Sequence, residues 1–243
     1  MNTQASILLA VYLGLLALLP VVVMLSANLG WAPTTTLSAW LLFNIVVLAA
    51  AERWRPFRAD WRPSRRHLGR DAFVWVLNLA TDSIVTAALT VAAIAWWPGE
   101  SDWPLVWQIG VGLLAGEFGS YWLHRWSHRE GWLWRVHVLH HRPDRLNLAN
   151  SVLAHPINAA YDKAARLLPL LLLGLDPEAL LMIALFGLTQ SLVTHANVAG
   201  SIGPLDRLIG SAELHRLHHS TRDAEAGNFG TTLPLWDQVF GTY

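Results

Sequence analysis

Residues Ile7 to Leu29 form an apolar run long enough to cross the hydrocarbon core of a bilayer as a single helix. A cleaved export signal needs a basic start and a short apolar core. The preceding MNTQAS has no basic residue and the run is too long, so it reads as a retained transmembrane helix, with Pro20 as the place for a kink. After WAPTTT a second run covers about Leu37 to Ala51. A third covers about Ala72 to Trp97 and a fourth about Leu105 to Leu123, with the short link Pro98 to Pro104 between them. Asn78 and Asp82 in the third run are costly in lipid and are expected to face other helices. Composition agrees with a membrane class: 53% of residues are hydrophobic and only 14% charged. Trp31, Trp54, Trp96, Trp97, Trp103 and Trp107 stand at the ends of runs, the depth that amphipathic rings prefer.

Orientation follows from the arginines. Glu52 to Arg70 carries Arg53, Arg55, Arg58, Arg62, Arg65, Arg66 and Arg70, and a short basic loop of this kind stays on the cytoplasmic side. Four spans from a cytoplasmic N-terminus put this loop inside. They also put the end of the fourth span inside, where Arg125, Arg129 and Arg135 lie, so two basic clusters agree. Beyond Arg145, Leu167 to Leu173 and Leu180 to Val193 are apolar and are separated by Gly174 and Asp176-Pro177. The first piece is too short to span. The pair reads as a re-entrant or interfacial helical hairpin, and Gly200 to Tyr243 as a polar cytoplasmic cap.

The expected fold is therefore an all-α integral membrane protein with about four transmembrane helices, that hairpin, and a cytoplasmic His-rich cap. Residues 1–243 read as one domain, with 1–123 mainly transmembrane and 124–243 His-rich. Acidic and basic side chains balance at 17 each, which gives no support to nucleic-acid binding. The absence of cysteine excludes disulfides, iron–sulfur clusters and thiolate metal ligands, and leaves the redox compartment open.

The chemistry is concentrated in histidines. His124 and His128 are spaced i, i+4 and share one helix face. His137, His140 and His141 are spaced i, i+3, i+4, and His215, His218 and His219 repeat that pattern as HRLHH after HVLHH. Neutral imidazole is a common ligand for iron, zinc and copper. Eight such side chains exceed the four of a structural zinc site, and the number suits two metal ions. His195 in VTHANV and His155 before Pro156 are placed to complete the coordination. His67, alone in the arginine loop, reads as solvated. Glu117 and Tyr121 precede His124 by seven and three residues. Glu117 falls on the same helix face, where a buried carboxylate can hold a ligand imidazole from behind or simply satisfy a helix neighbour.

In order, HRWSH, HVLHH, AHP, THANV, HRLHH, NFG and WDQVFGTY resemble the sterol desaturase family of the fatty acid hydroxylase superfamily, over roughly Glu117 to Tyr243. The resemblance implies a membrane-bound non-haem di-iron oxidase that uses O₂ to hydroxylate or desaturate a lipid C–H bond, in a bacterial inner membrane or an ER-type membrane. It implies metal ligation by His124, His128, His137, His140, His141, His195, His215, His218 and His219, with His155 added. Glu117, Tyr121 and Asp237 would stand behind the ligands, and zinc can replace iron during purification. This chain departs from the family pattern in having Glu117 where an Asp is usual, and Leu153 and Asn158 around the HP pair.

On that reading the di-iron centre is itself the catalytic group, and a sterol, fatty acyl or related lipid enters sideways from the bilayer. Trp122, Trp126, Trp132 and Trp134 read as interfacial anchors. No haem, flavin or iron–sulfur motif is present in the sequence, so electrons come from a separate reductase or carrier, and the arginine face suits an acidic one. Two rival readings use the same histidines. A metal transporter or buffer would need polar groups along several spans, and only Asn78, Asp82 and Glu117 offer them. A zinc-dependent lipid hydrolase would need only three protein ligands and an open position.

Overall fold

The computed structural model describes residues 3–96, 101–129, 131–222 and 226–243, and among these the regular elements are all helical. Trp97 and Pro98, at the end of the expected third run and the start of the link after it, lie outside the described residues. The longer helices are α1 (Thr3–Asn28), α2 (Pro33–Trp54), α3 (Arg65–Trp96), α4 (Leu105–Ser127), α5 (Trp132–His141), α6 (Pro156–Leu172) and α7 (Pro177–His195). Two short ones follow, α8 (Ala212–His218) and α9 (Leu235–Val239).

Among the described residues, four helices are long and apolar enough to cross a membrane: Leu9–Asn28, Pro33–Trp54, His67–Ala95 and Pro177–His195. The first three match the runs read from sequence. The fourth is α7, which the sequence suggested as one arm of a shallow hairpin. Helix α4 has close to the expected bounds but is less apolar, because it buries Gln108, Glu117 and Ser120 along its length.

The chain resolves into two compact units. One comprises Met1–Arg62, Leu146–Ser151 and Leu180–Tyr243. Within it, polar side chains on the apolar helices find partners inside protein, as backbone and side-chain donors in hydrocarbon must. Trp40 Nε1 donates to Thr189 Oγ1 at 2.9 Å, Tyr12 donates to Gln190, and Ser26 and Thr36 share a hydrogen bond at 2.5 Å. Gln190 Nε2 donates onward to the carbonyls of Gly210 and Thr232, at 3.2 and 3.1 Å. α7 thereby holds the segment that leads into α8.

The other unit comprises Pro63–Arg145 and Val152–Ala179, and in it α6 packs against both α3 and α4. Asn78 on α3 donates to the carbonyls of Val152 and Ala154 at 2.7 and 3.1 Å, and Asp82 pairs with Lys163 at 3.0 Å. Both polar residues of α3 thus turn toward the α6 segment, as their cost in lipid requires. Between α4 and α6, Arg166 reaches Glu117 at 2.6 Å and Asp162 at 3.2 Å, while Ser120 donates to Asp162 at 2.7 Å.

The close approach of α4 and α6 depends on small residues. A Cβ at Gly116 would meet the Arg166 carbonyl oxygen at 3.0 Å, and one at Gly119 would collide with the Ala165 carbonyl. Gly119→Leu is expected to lower stability by about 2 kcal/mol or more, through forced separation of the helices. Gly110→Ala, where nothing lies within 4 Å of the new methyl, is expected to cause no loss. Thermal unfolding in detergent distinguishes the two.

Candidate metal centre

Each unit gathers its own set of imidazoles. In the second unit α4 ends at Ser127 with His124 in its last turn and His128 at its cap. Gly131, with φ 136, then starts α5 in a conformation that a side chain would strain. α5 presents His137 and His141 one turn apart. One ring nitrogen from each of His124, His128, His137 and His141 lies within 4.8 Å of the others. His137 is the hub, since its Nε2 is 3.1 Å from the Nε2 of both His128 and His141.

In the first unit His195 closes α7, His215 lies within α8, and His219 caps it. Here His215 is the hub, with its Nε2 3.1 Å from the Nε2 of both His195 and His219. The sequence spacing grouped His215 with its helix neighbours but did not say that His195, twenty residues away, would meet it.

The hydrogen bonds behind these rings fix which nitrogen is available. A carbonyl oxygen only accepts, so an imidazole nitrogen facing one must donate. His137 Nδ1 donates to Asn158 Oδ1 at 2.7 Å, and His195 Nδ1 to the Ser191 carbonyl at 3.1 Å. His218 Nδ1 donates to the Gly227 carbonyl at 2.8 Å, and His140 Nδ1 to that of Leu153 at 3.3 Å. In all four the proton is on Nδ1 and the lone pair is on Nε2. That is the tautomer a metal requires when it binds through Nε2. Burial also holds the His137 pKa below its usual value, opposed by the Asn158 hydrogen bond and the charge of Asp162, which favours the neutral ring.

The spacing fits an ion. Ligand nitrogens about 2.1 Å from a common metal lie roughly 3.0–3.4 Å apart in octahedral or tetrahedral arrangements. The observed 3.1 Å separations fall in that range in both sets. An all-nitrogen set of this kind suits iron, zinc or copper.

The remaining predicted residues take varied places. His155 is in neither set: it caps α6, its Nδ1 accepting the Ile157 N–H at 3.2 Å. Its proton then sits on Nε2, the reverse of the arrangement above. Glu117 is buried and accepts from Arg166, which makes it part of the α4–α6 contact. Tyr121 is fully buried and accepts from Arg125 Nη1 at 2.9 Å. Trp134 was expected to anchor the chain at the interface. Instead its ring packs on His128, His137 and His141, at 5.6, 6.3 and 5.9 Å, because three- and seven-residue spacings on α5 share a face.

Asp237 organises the C-terminal loop. Its Oδ1 accepts from Phe229 N and Thr242 Oγ1, and its Oδ2 from Gly230 N, all at 2.7 Å. That loop supplies the Gly227 carbonyl behind His218, and Phe229 packs edge-on to the His218 ring.

Sequence reasoning passed over two further residues. Asn158, the side chain behind His137, sits three positions after His155 in AHPIN. Only its place on the inner face of α6, with Asp162 one turn on, hints at the role. Glu52 was read as the start of the arginine loop. It accepts from Leu148 N at 2.7 Å and from Asn197 N at 2.6 Å, which ties the residues after His195 to the end of α2. The Asn197 side chain binds both backbone groups of Arg58, at 3.0 and 2.8 Å. Arg216 stacks 4.1 Å over Phe57 and donates to the Val198 carbonyl. Burial lowers the Arg216 pKa to about 10, which leaves it charged at neutral pH.

Asn158→Leu removes the acceptor behind His137 while keeping the side chain's approximate size. It is expected to weaken metal binding about 10- to 100-fold without loss of fold. Metal titration of the purified variant, with helicity measured in parallel, checks this.

The sequence profile of the Fatty acid hydroxylase family matches residues 109–242, a stretch that contains every histidine of both sets. Among similar proteins, the ornithine lipid hydroxylase OlsE of Rhizobium tropici is 33% identical over 217 residues, covering 83% of this chain and 65% of the relative. The alkylglycerol monooxygenase of Homo sapiens is 29% identical over 142 residues, covering 58% of this chain and 32% of the relative. The Delta(7)-sterol 5(6)-desaturase of Candida dubliniensis is 27% identical over 139 residues, covering 57% and 34%. This chain therefore spans just under two thirds of the length of the first relative and about a third of that of the other two. No solved structure matches. With the family profile covering over half of its length and every imidazole of both sets, the chain belongs to the fatty acid hydroxylase family.

Proposed function

We propose that this protein is a membrane-bound lipid hydroxylase that carries two iron ions, one on each histidine set, with His140 and His218 among the ligands. The observation that carries the reading is the convergence of Nε2 atoms at 3.1 Å, twice, from rings whose protons are held on Nδ1 by Asn158 and Ser191. Iron bound in such a site supplies the reductive activation of dioxygen needed to oxidise an unactivated C–H bond. The overall reaction takes O₂, two electrons, two protons and a lipid C–H bond to a C–OH group and water.

This chain's own residues do the positioning. Asn158 and the carbonyls of Leu153, Ser191 and Gly227 orient the rings and hold the proton on Nδ1, which leaves Nε2 free for a metal. Trp134 shields one imidazole set from water. The apolar helices keep the protein in the phase where its substrate dissolves.

The relatives' names favour hydroxylation over desaturation, and a polar-headed membrane lipid, of amino-acyl or ether type, over a free fatty acid. The arginines of Glu52–Arg70 favour a cytoplasmic site by the positive-inside rule. They also favour an acidic electron-donor protein as the partner. Lipid profiling of cells with and without an active copy tests the reading. A lipid heavier by one oxygen atom is expected only with the active copy. A lipid lighter by two hydrogens would mean desaturation, and a cleaved lipid would mean a hydrolase.

A further inference from the structure

In the first unit the spanning helices α2 and α7 end at Trp54 and His195, and the two ends meet. Glu52 Oε1 accepts the Asn197 N–H at 2.6 Å, so the chain that leaves α2 starts at the boundary of the hydrocarbon. The strap that follows, Arg53–Arg62, has a fixed backbone. Pro56 and Val198 form an antiparallel bridge, and Phe57 N donates to the Asn197 carbonyl at 2.9 Å. The Asn197 side chain binds both backbone groups of Arg58. Arg62 turns back and donates to the Arg53 carbonyl at 3.1 Å, where the last turn of α2 leaves carbonyls without helical partners.

The cations of the strap are set against rings. The Arg55 guanidinium lies 5.3 Å from the centroid of Trp54, and that of Arg58 lies 5.7 Å from that of Trp61. Trp54 and Phe57 are 64% and 48% exposed, an amount of aromatic surface that suits headgroup depth better than open water. Arg53, Arg55, Arg58 and Arg62 are all exposed. Glu52 is turned inward onto the amides of Leu148 and Asn197, and the outward acid of the strap, Asp60, is paired with Arg58.

We propose that Arg53–Arg62 is a binding site for the phosphate of an anionic membrane phospholipid. Planar guanidiniums take phosphate oxygens in pairs, and the exposed rings lie against the lipid below its headgroup. A basic loop that served only to orient the chain would need charge, but neither a clamped backbone nor stacked rings. Position favours a lipid over a soluble acidic protein, because the strap begins where a span ends. Arg65 and Arg70, further along the chain, are left for the electron donor. The site needs neither metal nor turnover, so it stands or falls apart from the oxygenase reading.

Native mass spectrometry of the full chain tests this, with the protein released from neutral detergent micelles that carry equal phosphatidylglycerol and phosphatidylcholine. Phosphatidylglycerol is expected to be retained over phosphatidylcholine by at least about fivefold, the contribution of one well-placed arginine. Arg55→Lys combined with Arg62→Lys keeps the charge at exposed positions, and is expected to remove most of that preference. Asn197→Ala keeps every arginine but releases the strap, and is expected to do the same with helicity unchanged. Equal retention of the two lipids by the parent chain would overturn the site. A preference left intact by the lysine pair would also overturn it, since charge alone would then suffice. Binding of an acidic plant-type ferredoxin that both variants lose, with lipid retention unchanged, would assign the strap to a protein instead.

Discussion

On the proposed di-iron reading, replacing His137 by Ala is expected to remove one of the two iron ions and to lower turnover by at least about 10³-fold. Its Nε2 lies 3.1 Å from the Nε2 atoms of His128 and His141, so its loss removes the shared vertex of a set rather than one corner. His215→Ala is expected to do the same to the other set, where His215 stands between His195 and His219. The two variants should therefore each retain about one iron, and the double variant none. His67→Ala provides the control, because His67 is exposed in the first turn of α3 and lies in neither set. Iron is counted by elemental analysis on protein loaded anaerobically with ferrous iron, since zinc competes at nitrogen sites. Full iron content in either hub variant would show that the imidazoles serve another purpose.

Asp237→Ala is expected to cost roughly 1–3 kcal/mol of stability, the range for leaving a buried hydrogen-bonding group unsatisfied. The carboxylate is fully buried and receives hydrogen bonds from Phe229 N, Gly230 N and Thr242 Oγ1. Truncation removes the acceptor shared by these three donors, of which Gly230 N is buried. The same loop places Gly227 behind His218, so the consequence reaches an imidazole that Asp237 does not touch. Asp237→Asn separates structure from positioning. It keeps the shape and one accepting oxygen, and turns an amide donor toward a backbone N–H. It is expected to stay folded at reduced thermal stability and to bind iron more weakly than the parent chain. Unchanged iron affinity in that variant would confine Asp237 to a structural role.

Legibility from sequence varied with the kind of interaction involved. Spans α1, α2 and α3 were readable because hydrophobic length is a property of the run itself. α4 was read as a span at close to its observed bounds although its polar residues make it less apolar, and α7 was read as one arm of a shallow hairpin although it is long and apolar enough to cross. Thr189 and Gln190, polar residues within α7, find partners in Trp40 and Tyr12. Gln108 lowers the apolarity of α4, yet it is paired with Asp176 through two hydrogen bonds.

The histidine boxes were readable because helical spacing places i and i+4 on one face. The hubs were not, since only tertiary structure brings His195 to His215. The groups behind the rings were the least readable of all. Three are backbone carbonyls, of Leu153, Ser191 and Gly227, and a carbonyl leaves no mark in a sequence. The fourth, Asn158, stood out in the sequence only as a departure from the family pattern near the HP pair, and its amide oxygen accepts from His137 Nδ1 at 2.7 Å. His155 shows the converse: a histidine in the AHP motif acts as the N-cap that a helix beginning at Pro156 needs.

Turnover under isotopically heavy dioxygen tests the central claim most directly. The purified, iron-loaded protein is supplied with membrane lipid and an electron donor, and the product lipid is weighed by mass spectrometry. The account predicts one heavy oxygen atom in each hydroxylated lipid and no product when O₂ is withheld. Product formed without O₂, or carrying oxygen drawn only from water, would contradict it.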